Sequence, residues 1–357
     1  EYDINIDKNE TTETVSLKIP TTFVAQIGEN KYPTLQSAID SITEATETQI
    51  DLIKDIETIN NVVVPENKNV ILNLNGHTVK SYKKSGYITN NGTLKIIDSD
   101  EEKHGSLIGS AEMLIENNNN LTIEETKLLT LLTSPQVIDN KGTTIINNST
   151  ITSANTNNGT IYNEKNAVLK VTDSTISKTN ENGNNILNSG TATFDNVKFN
   201  QNSFTNIVNY SIGNITVNGG TSGNGKFILN YGTATINDLI TSGSIVNYSG
   251  VLNLNNVEES NNVENSRDNG TINITGGNYN STIYNSSGEL NIIGATIKVS
   301  KAYSISNTST ANIEDTTIES LSAIYNNEQG IVNIKNSTIK AGGYGINNQK
   351  KASINII

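Results

Sequence analysis

The sequence has no cysteine and no tryptophan, and Arg267 is its single arginine. Without cysteine the chain can form no disulfide, thiolate metal site or cysteine nucleophile, a usage found in secreted as well as cytosolic proteins. Lysine and arginine together number 24 against 36 acidic residues, which gives a net charge of −12. With this charge and no basic patch we expect no nucleic-acid binding, and the charge also disfavours strongly anionic polysaccharides.

Hydrophobic residues are scarce as well, at 34% of the chain with 5% aromatic. No apolar run approaches the length that crosses a bilayer, so we expect no membrane insertion. The start at Glu1 without a signal peptide predicts a mature protein or a fragment. So low a hydrophobic fraction is typical of disorder, but here the apolar residues are isoleucine, valine and leucine placed in register, which predicts a narrow continuous core.

A short pattern built around one asparagine recurs along the chain at a wandering period of about twenty residues, typical of a solenoid. Within each repeat the apolar residues are two apart, as in Leu94 and Ile96 or Val332 and Ile334, which is strand periodicity. One such repeat cannot bury its own apolar side chains, so the repeats must stack. The sequence therefore predicts an all-β fold, a single-stranded, right-handed parallel β-helix of about 13 coils with an N-terminal capping helix.

In nearly every repeat the residue two positions before the recurring asparagine is apolar. Because residues two apart on a strand point to the same side, the asparagine is placed on the inward side of the coil. Stacked amides bond to the coils above and below, so we interpret the row as a structural ladder and keep a polar ligand track as the alternative. The predicted ladder comprises Asn90, Asn117, Asn140, Asn163, Asn188, Asn209, Asn230, Asn247, Asn265, Asn285, Asn307, Asn326 and Asn347.

Three regions are predicted. Residues 1–30 form an N-terminal β segment or the end of a preceding module, 31–80 the capping helix and opening strands, and 81–357 the coils. The helix has Thr34 as N-cap and an apolar face that seals the core, with a partner-binding helix as the alternative. The chain stops inside a strand with no capping element, which predicts either the boundary of a fragment or a region in which the coils continue. The apolar face comprises Leu35, Ala38, Ile39, Ile42 and Ala45.

The opening segments 32–39, 64–70 and 72–79 read YPTLQSAI, VPENKNV and LNLNGHTV. They resemble the start of pectate-lyase-like right-handed β-helix domains in surface proteins of low-GC Gram-positive bacteria. The motifs that carry this resemblance cover roughly residues 24 to 80. The resemblance implies an extracellular, cell-surface location and an adhesin-like role rather than a defined activity.

Isolated acids follow the second strand of several repeats. Asp173 and Asp195 are predicted at equivalent turn positions of neighbouring coils, where they would lie close together. Because Asn336 fills that position in another coil, we favour a turn-forming role over general acid–base chemistry.

A polar insertion at 98–112 is interpreted as a solvated turn, although its carboxylates are a conceivable hard-cation site. His77 and His104 have no nucleophile or metal-spaced partner in the sequence. We therefore predict no catalytic residue, no metal and no cofactor.

Tyrosines flank the ladder. Tyr210, Tyr231 and Tyr248 follow the anchor asparagine in three consecutive coils, whereas Tyr162, Tyr284 and Tyr325 precede it. Neighbours of an inward asparagine face outward, so the first three are predicted to form an exposed strip that binds a sugar face or a protein. The alternative is that these rings only shield the turn and stabilise coil pairing.

These features together predict a non-catalytic, extracellular module of a bacterial cell surface, either an adhesin or a rigid spacer that binds a host or environmental glycan or protein. The alternative is a carbohydrate-active enzyme, a polysaccharide lyase or hydrolase, that uses acids on the outer face. A phage tail-spike segment is a third hypothesis.

Overall fold

The computed structural model describes residues 3–9, 12–18, 22–82, 86–109, 113–131, 136–154, 159–179, 183–200, 204–349 and 351–357. It is an all-β, right-handed type of parallel solenoid of about 13 turns with one short helix near the N-terminus. The predicted fold class is therefore confirmed. Strands Asp3–Asn9 and Thr12–Lys18 form a separate antiparallel pair. The division at residues 30 and 80 stays a prediction.

Each coil contributes one strand to each of three long parallel sheets. The asparagine sheet contains strands that end at the ladder residue. Its strands are Val62–Val64, Ile88–Asn90, Ile115–Asn117, Ile138–Asn140, Ile161–Asn163, Asn184–Asn188, Thr205–Asn209, Lys226–Asn230, Ser244–Asn247, Val263–Asn265, Ile283–Asn285, the last parts of Thr296–Asn307 and Thr317–Asn326, and Ile346–Asn348.

The second sheet follows a short turn later and consists mostly of five-residue strands. These are Thr48–Leu52, Asn69–Asn73, Thr93–Ile97, Asn120–Glu124, Thr143–Asn147, Val168–Thr172, Thr191–Asp195, Asn214–Asn218, Thr233–Asn237, Val251–Asn255, Thr271–Thr275, Glu289–Ile293, Thr310–Glu314, Ile331–Lys335 and Ser353–Ile356.

The third sheet closes the coil, and its strands shrink to two residues in the middle of the solenoid. They are Ile56–Thr58, Thr78–Ser81, Ser106–Gly109, Lys127–Thr130, Thr150–Ser153, Thr175–Lys178, Lys198–Asn200, Thr221–Ser222, Ile240–Thr241, Glu258–Glu259, Asn278–Tyr279, the first parts of Thr296–Asn307 and Thr317–Asn326, and Thr338–Ala341. The predicted insertion at 98–112 is too long, because its residues Ser106–Gly109 form a strand that pairs with Thr78–Ser81, while 110–112 lie outside the described residues.

The N-terminal end of the core is covered by helix Leu35–Ser41. Strand Ala25–Ile27 pairs antiparallel with both Asn30–Tyr32 and Thr48–Leu52 beside it. Thr34 is the N-cap and forms a capping box with Ser37, as the sequence predicts for the cap. The Gln36 amide accepts from Val63 N at 2.7 Å and donates to Val63 O at 3.1 Å, so the helix also occupies a free strand edge.

The buried side of the helix agrees with the prediction except at its end. Leu35, Ala38, Ile39 and Ile42 are buried. Ala45 is exposed, because the helix ends at Ser41 and the chain turns away before reaching it.

The asparagine ladder is confirmed as a structural element of the core. Twelve amide-to-amide bonds of 2.7–3.1 Å run in one direction, each Nδ2 donating to the Oδ1 of the next coil. The remaining Nδ2 hydrogen goes to a backbone carbonyl, as from Asn140 to Val168 O at 2.9 Å. Apart from Asn90 Oδ1, the side-chain amides of the ladder from Asn90 to Asn326 therefore have their hydrogen-bond partners within the fold.

The last rung corrects the prediction. Asn326 bonds to Asn348 at 2.8 Å, and Asn347 instead lies in register with the outward Tyr325. The reason is that Ile346 must stack on Ile324, and this places the residue two positions later, Asn348, on the inward side.

Left-handed turns follow the second-sheet strands. Asp173, Asp238 and Asn336 have φ of 49°, 53° and 48° at this position, and glycine occupies it in other coils, as at Gly219. The turn interpretation of Asp173 and Asn336 is therefore confirmed, since asparagine, aspartate and glycine adopt this conformation most readily.

Candidate functional site

The three tyrosines of the predicted site occupy one repeated position. The backbone N–H groups of Tyr210, Tyr231 and Tyr248 donate to the carbonyls of Asn188, Asn209 and Asn230 at 2.8–2.9 Å. We call these three residues the tyrosine strip. Because each comes directly after a buried ladder residue, all three side chains project from the same face of the solenoid.

Two of the three rings in the strip are in contact, and all three remain accessible. The Tyr231 and Tyr248 ring centroids are 5.2 Å apart with planes tilted by 47°. Tyr210 is 38% exposed, and the other two are half-buried. Burial raises the pKa of both Tyr210 and Tyr231, and their neighbouring tyrosines raise it further, so the phenols keep their protons at neutral pH. Each ring can therefore offer both a face and a hydroxyl.

The single arginine lies at one end of the strip. The Arg267 guanidinium carbon is 5.0 Å from the centroid of the Tyr248 ring, a cation–π distance. This contact was missed by the sequence reasoning. The position of Arg267, two residues after the next ladder residue Asn265, was the sequence signal that could have placed it near Tyr248.

The outward position before each ladder residue carries a second row. Between Tyr162 and Glu264 this row is aliphatic over four coils: the members in register are Leu187, Val208, Leu229 and Val246. Val208 and Val246 are buried although they lie on the outer surface. The strip thus runs beside an aliphatic row.

A second group of tyrosines lies further along the same face and begins at Tyr284, two coils beyond Tyr248. Tyr284 is 37% exposed, and the Tyr303 and Tyr325 rings are 5.0 Å apart. The Tyr303 hydroxyl accepts from Asn347 Nδ2 at 3.1 Å. We call Tyr284, Tyr303 and Tyr325 the distal tyrosine cluster. Tyr303 was missed because it lies four residues before its ladder asparagine, at a corner of the coil.

An acidic pair precedes Tyr162 in the same outward row. Glu116 and Asp139 are paired in register, and Lys141 Nζ is 2.5 Å from Glu116 Oε1 and 3.5 Å from Asp139 Oδ2. Burial raises the pKa of Asp139, although Lys141 opposes that shift. Asp139 Oδ1 is buried and finds no partner within the described part of the chain. This pair was also missed, since neither acid follows a second strand.

Asp173 and Asp195, which were singled out from the sequence, do lie next to each other, since the Asp173 N–H donates to the Asp195 carbonyl at 3.0 Å, but they are not at equivalent positions. Asp195 lies in register with Thr172, one residue out of step with Asp173, so the predicted equivalence was wrong. It ends a strand and accepts from Asn218 Nδ2 at 2.6 Å, while Asp173 accepts from Asn196 Nδ2 at the same distance. Each carboxylate therefore bonds to a different neighbouring amide.

The polar segment at 98–105 is organised by one buried acid. Asp98 accepts from the backbone N–H of Gly76 and Gly105 at 2.8 and 2.7 Å. His104 lies 2.8 Å from Asp100, and His77 lies 3.2 Å from Asp55. The described ranges contain no group of three or more histidine, cysteine, aspartate or glutamate side chains placed to hold a metal ion.

One cleft lies in the N-terminal region and does not involve the tyrosine strip or the distal tyrosine cluster. This cleft, of about 350 Å³, opens beside the cap and is lined by residues that include Thr34, Gln36, Lys54, Asp55 and Tyr87. No helix among the residues described is both long and apolar enough to cross a membrane.

Comparisons of the chain with protein-family models, with curated proteins and with solved structures found no match. The parallel β-helix implied by the opening motifs is confirmed by the architecture. Membership of the pectate-lyase-like surface proteins stays a prediction.

Proposed function

We propose that this chain is a non-catalytic β-helix module that binds a glycan through the tyrosine strip. One observation carries the proposal: three tyrosines on consecutive coils form an accessible aromatic row beside an aliphatic row. Aromatic faces pack on the C–H side of sugar rings, and the protonated phenols can bond to their hydroxyls. We further propose that the module works outside the cell, on a bacterial surface, as the resemblance of its opening coils implies.

The alternative of a plain structural row makes a different prediction. Rings that only shield the turn would be interchangeable with other apolar side chains, and their removal would lower stability without a change in ligand binding. The proposal instead expects specific binding that depends on the rings.

The test is a glycan-array screen of the wild-type chain beside a Tyr210→Ala, Tyr231→Ala, Tyr248→Ala variant. A matched control is Thr191→Ala with Thr233→Ala, which removes exposed side chains from the second sheet of two coils that lie on either side of the coil of Asn214. We expect binding by the wild type and the control but not by the tyrosine variant. Equal binding by all three proteins would refute the assignment of the strip.

A second candidate function, a polysaccharide hydrolase, is favoured by the Glu116 and Asp139 pair. Neighbouring parallel strands are about 4.8 Å apart, close to the carboxyl separation of about 5–5.5 Å in retaining glycosidases. The raised pKa of Asp139 suits a general acid. Product analysis of every bound glycan tests this candidate. Cleavage that disappears in Glu116→Gln or Asp139→Asn would support the hydrolase. Recovery of intact glycan would contradict the hydrolase and favour the non-catalytic binding module.

A further inference from the structure

The tyrosine strip is one part of a longer aromatic track. The residue directly before each inward asparagine points outward from the strand, and the residue directly after it, which begins the turn, lies on the same side about 7 Å further along the chain. Tyr162, Tyr284 and Tyr325 occupy the first position, and the strip occupies the second. All six therefore line one face of the asparagine sheet, together with Tyr303 beside Tyr325.

The length of this track follows from the coil spacing. The coils from Asn163 to Asn326 are separated by eight steps in the register of the sheet. At about 4.8 Å a step the track is about 38 Å long. The nearest members of the two tyrosine groups, Tyr248 and Tyr284, are two steps apart, or about 10 Å along the axis, and from Asn230 to Asn326 the distance is five steps, or about 24 Å. A single small sugar could contact only one of the two tyrosine groups.

The track is a sheet face rather than a cleft. The clefts beside the cap and beside Lys103 are lined by other residues. A flat surface covers one side of a ligand, whereas small-molecule sites enclose most of it. Useful affinity on such a surface must come from several contacts made by one molecule at once.

The negative charge of the protein indicates which class of ligand the track can bind. The chain carries a net charge of −12, Glu264 lies between the two tyrosine groups of the track, and Glu116 and Asp139, which Lys141 partly neutralises, lie just beyond Tyr162. A second copy of the same chain and a strongly anionic polymer are both repelled by this distribution. Arg267, the nearby cation, already lies on the Tyr248 ring. A neutral, hydroxyl-rich polymer is not repelled by the negative charge and does not need a free cation.

We infer that the ligand is an extended, neutral polysaccharide chain that lies parallel to the solenoid axis and contacts the tyrosine strip and the distal tyrosine cluster together. This inference rests on the proposed function and adds the class of ligand, its direction and a second contact site.

Affinity electrophoresis in gels containing hydroxyethyl cellulose, xylan, galactomannan or polygalacturonate tests the inference. Four proteins are compared: wild type, the triple strip variant, a Tyr284→Ala, Tyr325→Ala variant of the distal cluster, and the Thr191→Ala, Thr233→Ala control. We expect at least one neutral polymer to retard the wild type and the control. Each tyrosine variant should lose about tenfold or more in affinity, because each removes one of two linked contacts.

Oligomers of the retained polymer supply the second readout. Oligomers shorter than the distance of about 10 Å between Tyr248 and Tyr284, the nearest members of the two groups, should bind weakly and be insensitive to the distal variant. Longer oligomers should gain about tenfold or more in affinity in the wild type alone. Circular dichroism of every variant verifies that it is folded.

The outcomes separate the two levels of the proposal. Loss of retardation in the strip variant alone would overturn the extended track while the binding function stands. No retardation by any neutral polymer, or retardation by polygalacturonate only, would overturn the inference, and the array result would then decide the fate of the proposed function.

Discussion

Ionisation of Glu259 should destabilise the short coils in the middle of the solenoid. Glu259 is 1% exposed and points inward from the third sheet. One carboxyl oxygen accepts from the Asn261 N–H, and Oε2 has no partner among the residues described. Its neighbours in the inward column are Thr241 on one side and Tyr279 on the other. No cation faces it from these strands, so the carboxylate form has little compensation.

The direction of the pH effect follows from the pKa of this carboxyl. Burial raises it from 4.5 to about 8 in the folded chain. Below pH 4.5 both the folded and unfolded states hold the proton, and stability is complete. Between pH 4.5 and 8 the unfolded state releases the proton while the folded state keeps it, so stability falls as pH rises. At about 1.4 kcal/mol per pKa unit the total loss is about 5 kcal/mol.

The perturbation that isolates this effect is Glu259→Gln, which keeps the size of the side chain and removes its ionisation. Urea unfolding followed by circular dichroism from pH 4 to pH 9 should show the wild type losing stability relative to the variant by up to about 1.4 kcal/mol per pH unit. Glu258→Gln is the matched control, because Glu258 is exposed on the same strand. Its profile should follow the wild type.

The site of the loss is also predicted. Coils of a solenoid contact mainly their neighbours, so amides near Thr241 and Tyr279 should lose hydrogen-exchange protection first at high pH. Parallel pH profiles for the wild type and Glu259→Gln would refute the reasoning, because they would mean that the buried carboxyl does not retain its proton.

Two further predictions concern the ladder and the cap. Asn230→Ala removes a bond from Asn209 and one to Asn247, so urea unfolding should show a loss of about 3 kcal/mol, from about 1–3 kcal/mol for each buried group left unpaired. Asn90→Ala should cost less, since its Oδ1 has no partner among the described residues, and equal losses would contradict the ladder account. Thr34→Ala should cost about 1 kcal/mol in a thermal melt by removing the capping box, and an unchanged melting temperature would argue against a stabilising role for the cap.

The coil was predictable because its rule is local. Each repeat has an apolar residue two positions before the asparagine and then two apolar residues separated by one residue. This pattern decides which side chains point inward without knowledge of the neighbouring coil. Ladder residues from Asn90 to Asn326 follow directly from this rule. Asn347 was chosen wrongly because two asparagines stand side by side there, and only the apolar Ile346 distinguishes them.

Contacts between coils were less predictable. They depend on register, which the varying turn lengths shift from one coil to the next. A shift of a single residue separates Asp173 from Asp195, and register brings Glu116 beside Asp139 although the two are distant in sequence. The Tyr303 position depends on a corner that the two-residue period does not describe.

The binding role of the tyrosine strip is the central claim, and isothermal titration with a glycan identified on the array tests it most directly. The wild type and the Thr191→Ala, Thr233→Ala control should give the same saturable isotherm. The Tyr210→Ala, Tyr231→Ala, Tyr248→Ala variant, with an unchanged circular dichroism spectrum, should give no measurable heat of binding. A folded triple variant that binds with wild-type affinity would contradict the account.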